Sequence, residues 1–311
     1  MSALICGSFA YDTIMVFQDK FKNHILPDKV HMLNVSFYVP DMRREFGGCA
    51  GNIAYNLNLL GGRPVPMGAV GSDFGPYADW MDVVGIDRTH VTLAEGRYTA
   101  QAYITTDMDD NQITAFHPGA MDASQQNRVS DAAGITIGIL SPDGRQGMLE
   151  HASQFAEAGI PFIFDPGQGL PMFGGDELKS FIGKATWISV NDYELQMMQE
   201  HTGLSPHEIA ERVDGLIVTL GGEGSHIYTE KQRIDIPAAA VSEMNDPTGC
   251  GDAYRGGLLF GLMNGLDWET TGRVAALMGA IKIEQHGTQN HSFTLDEFRA
   301  RYRESFGSAL A

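Results

Sequence analysis

The segment DPTGCGDAYRGGLLFGLMNG, Asp246 to Gly265, carries the residues whose types and order most directly suggest chemistry. Pro247 and Gly249 stop the preceding extended chain, and an apolar run of helical period begins after Gly251. That puts Gly249, Cys250 and Gly251 at a helix N-terminus, with Asp252 in its first turn. Free amides and the positive end of the helix dipole form an anion site there without any cationic side chain. A carboxylate in the same turn suits phosphoryl transfer, with the amides neutralising the moving group and Asp252 accepting the proton of an attacking hydroxyl. The loose transition state means the hydroxyl loses its proton late, so an ordinary Asp basicity suffices. A bare G-x-G-D would equally be a capped helix with glycines for close packing, but the string here is specified at every position from Asp246 to Asp252. A second segment, GGCAGNIAYNLNLLGG from Gly47 to Gly62, has Gly47, Gly48 and Gly51 for close backbone approach to a ligand. Asn52 opens a helix at that point, and its amide can donate to and accept from sugar hydroxyls, or simply cap the helix.

Positioning these residues requires a rigid frame, and the hydropathy pattern supplies one. Short apolar runs at Ala3–Gly7, Val65–Val70, Gly134–Ser141, Pro161–Asp165, Thr186–Val190 and Gly215–Leu220 read as strands. Near-continuous runs such as ITIGIL and LIVTL suit strands buried on both faces of a parallel sheet. Amphipathic stretches lie between them, at Asn52–Leu60, Phe74–Val84, Gln146–Ala158, Asp192–His201 and Pro206–Val213. Helices around Asp252–Asn264, Glu269–Glu284 and Leu295–Phe306 fill the C-terminal third. The fold class is therefore α/β, and the length fits one large domain, expected here over 1–311, or a domain plus a small appendage. Two stretches break the rhythm: Thr13–Phe46, with an extended segment at Met32–Val39, and Tyr98–Phe116, a hairpin turning at Met108–Asn111. Both leave the sheet at the C-terminal edge of a strand, where open α/β sheets bind ligands. Residues 13–46 and 96–121 are expected to form a small β-sheet lid; a decorated edge or an oligomer interface is the alternative.

Composition removes other classes. The 39 acidic against 21 basic side chains, a formal net charge of −18, oppose a nucleic-acid surface but not a nucleotide pocket. Thirty-seven glycines without a repeat belong at turns and close approaches. No apolar run is long enough to span a membrane, and the N-terminus lacks signal-peptide character, so a cytoplasmic protein is expected. Three scattered cysteines form neither a disulfide framework nor a zinc motif. The P-loop, G-x-G-x-x-G and G-x-S-x-G motifs are all absent.

The two glycine-rich segments together resemble the C-terminal and N-terminal signatures of the ribokinase-like (PfkB) family of small-molecule kinases, and the resemblance runs the length of the chain. It implies a three-layer sandwich around a mainly parallel sheet with a small β-sheet lid, and ATP with Mg²⁺ as the phosphoryl donor. By resemblance Asp252 is the base and Gly249, Cys250 and Gly251 the anion hole. Asp12, after the first strand, matches the acidic residue that grips substrate hydroxyls, alongside Gly48 and Asn52. Asn191 and Glu194 match the family's N-x-x-E motif, Glu194 holding Mg²⁺ through water. TLGGEG, with Thr219, Gly221 and Gly224, resembles the turn at the nucleotide phosphates. Asp246 and Thr248 stand where family members with a monovalent-cation site, such as one for K⁺, supply oxygen ligands. The Cys250 side chain is expected to pack, although a helix N-terminus can lower a thiol pKa and expose it to oxidation.

The stretch Tyr98–Met121 lacks Lys and Arg, which disfavours an acceptor that already carries phosphate. It offers Gln101, Tyr103, Phe116, His117 and Met121, which suit a flat base that stacks and makes a few hydrogen bonds. QITAFHPGAM is more similar to the lid of adenosine and nucleoside kinases than to that of ribokinases. The expectation is a nucleoside kinase acting on the 5′-hydroxyl of a purine nucleoside such as adenosine, inosine or guanosine. A ribokinase- or fructokinase-like sugar kinase and a non-catalytic nucleoside sensor are the alternatives, and a monomer or a homodimer through the lid is compatible with each.

Overall fold

A computed structural model describes residues 1–25, 34–109 and 111–310. Among the described residues nine strands form one sheet, in the order β13-β12-β11-β10-β9-β8-β1-β4-β5. Its parallel part comprises β1 (Ser2–Cys6), β4 (Pro64–Val70), β5 (His90–Leu93), β8 (Ile135–Leu140), β9 (Phe162–Phe164), β10 (Trp187–Asn191) and β11 (Gly215–Thr219). The edge strands β12 (Ser225–Tyr228) and β13 (Arg233–Ile236) run antiparallel.

The inner strands bury side chains on both faces, as their uninterrupted apolar runs require. Leu4, Cys6, Leu140, Phe162, Phe164, Ile188, Val190 and Val218 pack on one side. Against them lie α3 (Arg145–Glu157), α4 (Gly175–Lys184), α5 (Asp192–Thr202) and the short α6 (Pro206–Ala210). Ala3, Ile5, Ile137, Ile139, Ile163 and Ile217 point the other way, towards α1 (Cys49–Leu59), α2 (Gly75–Val84) and α7 (Cys250–Met263). Helix α8 (Trp268–Ile283) packs along α7, and α9 (Leu295–Phe306) closes the end of that layer. The result is the three-layer α/β sandwich. No helix among the described residues is long and apolar enough to cross a membrane.

Four further strands form a second sheet, β3-β2-β6-β7, from β2 (Ala10–Val16), β3 (Asp41–Gly47), β6 (Ala100–Thr106) and β7 (Gln112–His117). The hairpin expected at Tyr98–Phe116 is therefore β6 and β7, although Asp110 of its turn lies outside the described residues. The extended segment expected at Met32–Val39 is corrected. Its first two residues lie outside the described chain, Asn34–Val39 form no strand, and the pairing strand is Asp41–Gly47. Charged DMRREFG carries little apolar alternation, so its register comes from pairing with β2 rather than from its own pattern.

Candidate active site

The carboxyl ends of the parallel strands gather the polar residues. Thr219 ends β11 and sits in register with Asn191 at the end of β10; Asp165 follows β9 directly. The N-terminus of α7 reaches this edge. Gly249 precedes it in the left-handed region, at φ +79°, a conformation that favours glycine. The Cys250 amide donates to the Pro247 carbonyl at 3.2 Å, while among the described residues the amides of Gly249, Gly251 and Asp252 make no backbone bond. Of the three amides expected to form an anion hole, those of Gly249 and Gly251 are without a backbone acceptor among the described residues, and that of Cys250 has one.

Asp252 meets the second signature here. Asn52 Nδ2 donates to Asp252 Oδ2 at 2.8 Å, across two hundred residues of sequence. The amide cannot turn round, because Gln289 Nε2 donates to Asn52 Oδ1 at 3.0 Å. Gln289 is itself held: its Nε2 also lies 2.6 Å from the Tyr77 hydroxyl, and its Oε1 accepts from the Trp80 indole at 2.9 Å. The Tyr77 hydroxyl in turn donates to the Gly47 carbonyl at 3.0 Å. Dense surroundings desolvate Asp252 and push its carboxyl up to about 6, against the pull of Asn52 and Arg255. At pH 7 the group is largely ionised and more basic than a free Asp.

Beneath that turn lies a charge cluster that sequence reading missed. Arg255 is buried, three residues beyond Asp252. Its Nη2 donates to Asp165 Oδ1 at 2.7 Å, its Nε lies 2.6 Å from Asp165 Oδ2, and its Nη2 is 3.9 Å from Glu194 Oε2. Burial opposes the Arg255 charge, but Asp165, Glu194 and Asp252 outweigh it and raise the guanidinium above its ordinary value. Burial likewise raises the Asp165 and Glu194 carboxyls, with Arg255 pulling them back. Asn191 and Glu194 form a capping box on α5: Asn191 Oδ1 accepts from the Glu194 amide at 2.7 Å and Glu194 Oε2 from the Asn191 amide at 2.8 Å. Past Thr219, Gly221 and Gly224 make a tight positive-φ turn before β12, and the space around Gly221 is open.

Asp12, in the middle of β2, pairs with Glu45 and Ala102, and Ala102 pairs with Phe116. These four side chains therefore share one face of the small sheet. Burial, with the charges of Asp246 and Glu45 nearby, pushes the Asp12 carboxyl up to about 6. Gly48 turns the chain from β3 into α1 at φ +86°, and a Cβ there would come within 2.6 Å of the Ser8 carbonyl and the Phe9 backbone. Gly51 is a packing position instead of a ligand-facing one, since a Cβ would fall 1.9 Å from the Tyr77 hydroxyl.

Gln101 and Tyr103 are corrected. Strand alternation points them away from Asp12 and Phe116, to the face shared with Tyr11 and His117. Gln101 is buried there and donates to Asp73 Oδ2 at 3.0 Å, while Tyr103 is exposed. Burial pushes the Cys250 thiol up to about 11, opposite to the lowering a helix N-terminus can give, and its Sγ lies 3.8 Å from the Asp246 carbonyl. Asp246, expected with Thr248 to supply oxygen ligands to a monovalent cation, makes several bonds within the loop. Thr248 donates its amide to Asp246 Oδ1 at 2.9 Å, Gly287 donates to Asp246 Oδ2 at 2.9 Å, and the Asp246 carbonyl accepts from Lys282 Nζ at 2.7 Å.

A family model for pfkB family carbohydrate kinases matches residues 12–294. The chain belongs to that family. This pfkB-family chain is 52% identical to the nucleoside kinase of Burkholderia thailandensis in a structure with inosine, with a TM-score of 0.90 over 99% of each chain. A complex of that protein with ADP-inosine superposes at a TM-score of 0.88, with 54% identity over 99% of this chain and 97% of that one. A nucleoside kinase of Methanocaldococcus jannaschii is 31% identical over 266 residues, 85% of this chain and 87% of its own.

Proposed function

We propose that this pfkB-family chain is a nucleoside kinase that transfers the γ-phosphoryl group of ATP to the 5′-hydroxyl of a purine nucleoside. The observation that carries the reading is the Asn52–Asp252 hydrogen bond at the N-terminus of α7, which joins a basic carboxylate to an anion-binding turn. Likeness over nearly the whole chain to a kinase solved with inosine supports a nucleoside acceptor.

In this reading Asp252 takes the hydroxyl proton as the 5′-oxygen bonds to the γ-phosphorus and the bridging bond to ADP breaks. The Gly249 and Gly251 amides face the charge on the equatorial oxygens. Asn52 holds one oxygen of Asp252, which leaves the other for the proton. Asp12 accepts from the ribose diol, with Asn52 and the Gly48 turn beside it, and Phe116 lies against the base. Asn191, Thr219, Gly221 and Gly224 line the ATP side. Mg²⁺, when bound, neutralises the donor phosphates, and Glu194 would hold it through water. The donor set fits, since the capping bonds use only Oε2 of Glu194. Among the described residues no group of three or more His, Cys, Asp or Glu could hold a metal ion.

The chain acts as a single domain, with the small sheet of β2, β3, β6 and β7 as a lid over Asp12. The opposite, exposed face of that sheet, bearing Met42, Tyr103 and Ile113, is where a homodimer would pair. All three cysteines are free thiols, which suits a reducing cytoplasm. ADP release across a panel of adenosine, inosine, guanosine, ribose and fructose tests the reading. Nucleosides are expected to lead, and a faster rate with either free sugar would favour a sugar kinase.

A further inference from the structure

The fully buried Lys282 lies in the last turn of α8, 0% exposed. A lysine at a helix C-terminus commonly reaches its own helix carbonyls, but this one also bridges to a distant loop. Nζ donates to the Asp246 carbonyl at 2.7 Å and to the Gln285 carbonyl at 3.2 Å, and lies 3.9 Å from Asp246 Oδ1. A compact ammonium carries one charge, is close in size to K⁺, and is attracted by the same oxygens. The Asp246 carboxylate opposes it and is otherwise engaged by the Thr248 and Gly287 amides. Both ends of this arrangement matter to the site: Asp246 begins the loop that delivers Gly249 to the N-terminus of α7, and Gly249 packs on Thr288, just past Gly287.

We propose that Lys282 is a built-in replacement for a bound monovalent cation, so that this chain needs no K⁺. Its ammonium occupies the Asp246 carbonyl and the space before the Asp246 carboxylate, where the resemblance implied a K⁺ site. Lys282 is then a positioning residue: its charge fixes the Asp246–Gly249 loop and, through it, the amides that face the phosphoryl group. The effect on rate rests on the kinase reading; the effect on stability does not.

Two measurements on the wild-type protein and two variants test this. Melting temperature and ADP formation are followed in choline chloride and in KCl at equal ionic strength. Wild type should show no K⁺-specific rise in melting temperature and a kcat constant within about twofold. Lys282→Ala, which leaves room for an ion, should lose about tenfold or more in kcat and recover part of it in K⁺ or NH₄⁺, with a K⁺-dependent rise in melting temperature. Lys282→Met fills the space without charge and should stay impaired in every salt. Activation of wild type by K⁺ of about tenfold or more, or its stabilisation by K⁺ over choline, overturns the proposal even where a variant does not fold. If no substrate is turned over, the kinase reading fails and the melting comparison still decides the cation question.

Discussion

Asp252→Asn separates catalysis from stability in opposite directions. The substitution keeps the shape of the side chain and an oxygen for Asn52 Nδ2, yet it cannot hold a proton between substrate and solvent. Turnover should fall by roughly 10²- to 10⁴-fold, the usual contribution of general base catalysis, with little change in nucleoside KM. Stability should move the other way. The Asp252 carboxyl rises from 3.8 to about 6 in the folded protein. Its ionisation therefore costs about 3 kcal/mol of folding free energy at pH 8, well above both values. A neutral Asn avoids that cost and should raise the melting temperature by about 4 to 5 °C for a chain of this size. The sign follows from linkage: a raised pKa gives stability that is complete below the unfolded value and is lost as pH rises through the folded value. The advantage of Asn should accordingly shrink to about half its pH 8 value at pH 5 and to a small remainder at pH 4. Asp12 titrates in both proteins and cancels in the difference. Thermal melts at the three pH values, with initial rates at pH 8, make the assay. A variant that keeps most of its rate removes Asp252 from the chemistry, and one less stable than wild type at pH 8 refutes the desolvation argument.

Further outcomes follow from the same geometry. kcat/KM should fall below about pH 6 as Asp252 and Asp12 protonate, with a limiting log-log slope above 1; Asp12→Asn should bring that slope to 1, and a profile flat down to pH 5 would contradict both assignments. Asn52→Leu removes a hydrogen bond to a charged group, so kcat should fall about 10- to 100-fold, and an unchanged kcat in steady-state assays would show that Asn52 does not hold the base. Arg255→Met leaves Asp165 and Glu194 buried without their partner and should cost about 3–5 kcal/mol in urea unfolding at pH 8. Adding Asp165→Asn should recover part of it, and a loss under about 1 kcal/mol would mean the buried pair is not stabilising in this setting.

The inner sheet was legible because ITIGIL, FIF and LIVT are buried on both faces and leave no polar alternation to misread. Strands β5, β12 and β13 escaped notice for the opposite reason: each has only four residues, interrupted by polar ones. Helix α4 escaped because its GDELKSFIGK opens on glycine and buries only Leu178, Phe181 and Ile182. At the site, Asp252 and Asn52 were readable from local motifs, and the direct bond between them supports pairing those motifs. The supporting residues were not. Gln289 and Lys282 act on groups far away in sequence, and the partner of Arg255, Asp165, lies ninety residues before it. Gln101 and Tyr103 were grouped with Phe116 because all lie in one hairpin. The period of two in QAYITTD separates them, but the sequence does not show which face of the strand turns towards Asp12.

The central claim is transfer to a nucleoside 5′-oxygen, and product structure tests it most directly. The protein is incubated with ATP, Mg²⁺ and an equimolar mixture of inosine and ribose, and the products are resolved by ³¹P NMR with coupling to carbon and hydrogen. The account predicts inosine 5′-monophosphate, its phosphorus coupled to the C5′ protons, formed together with ADP. Ribose phosphate as the main product, or ADP formed with no phosphorylated nucleoside, would contradict it.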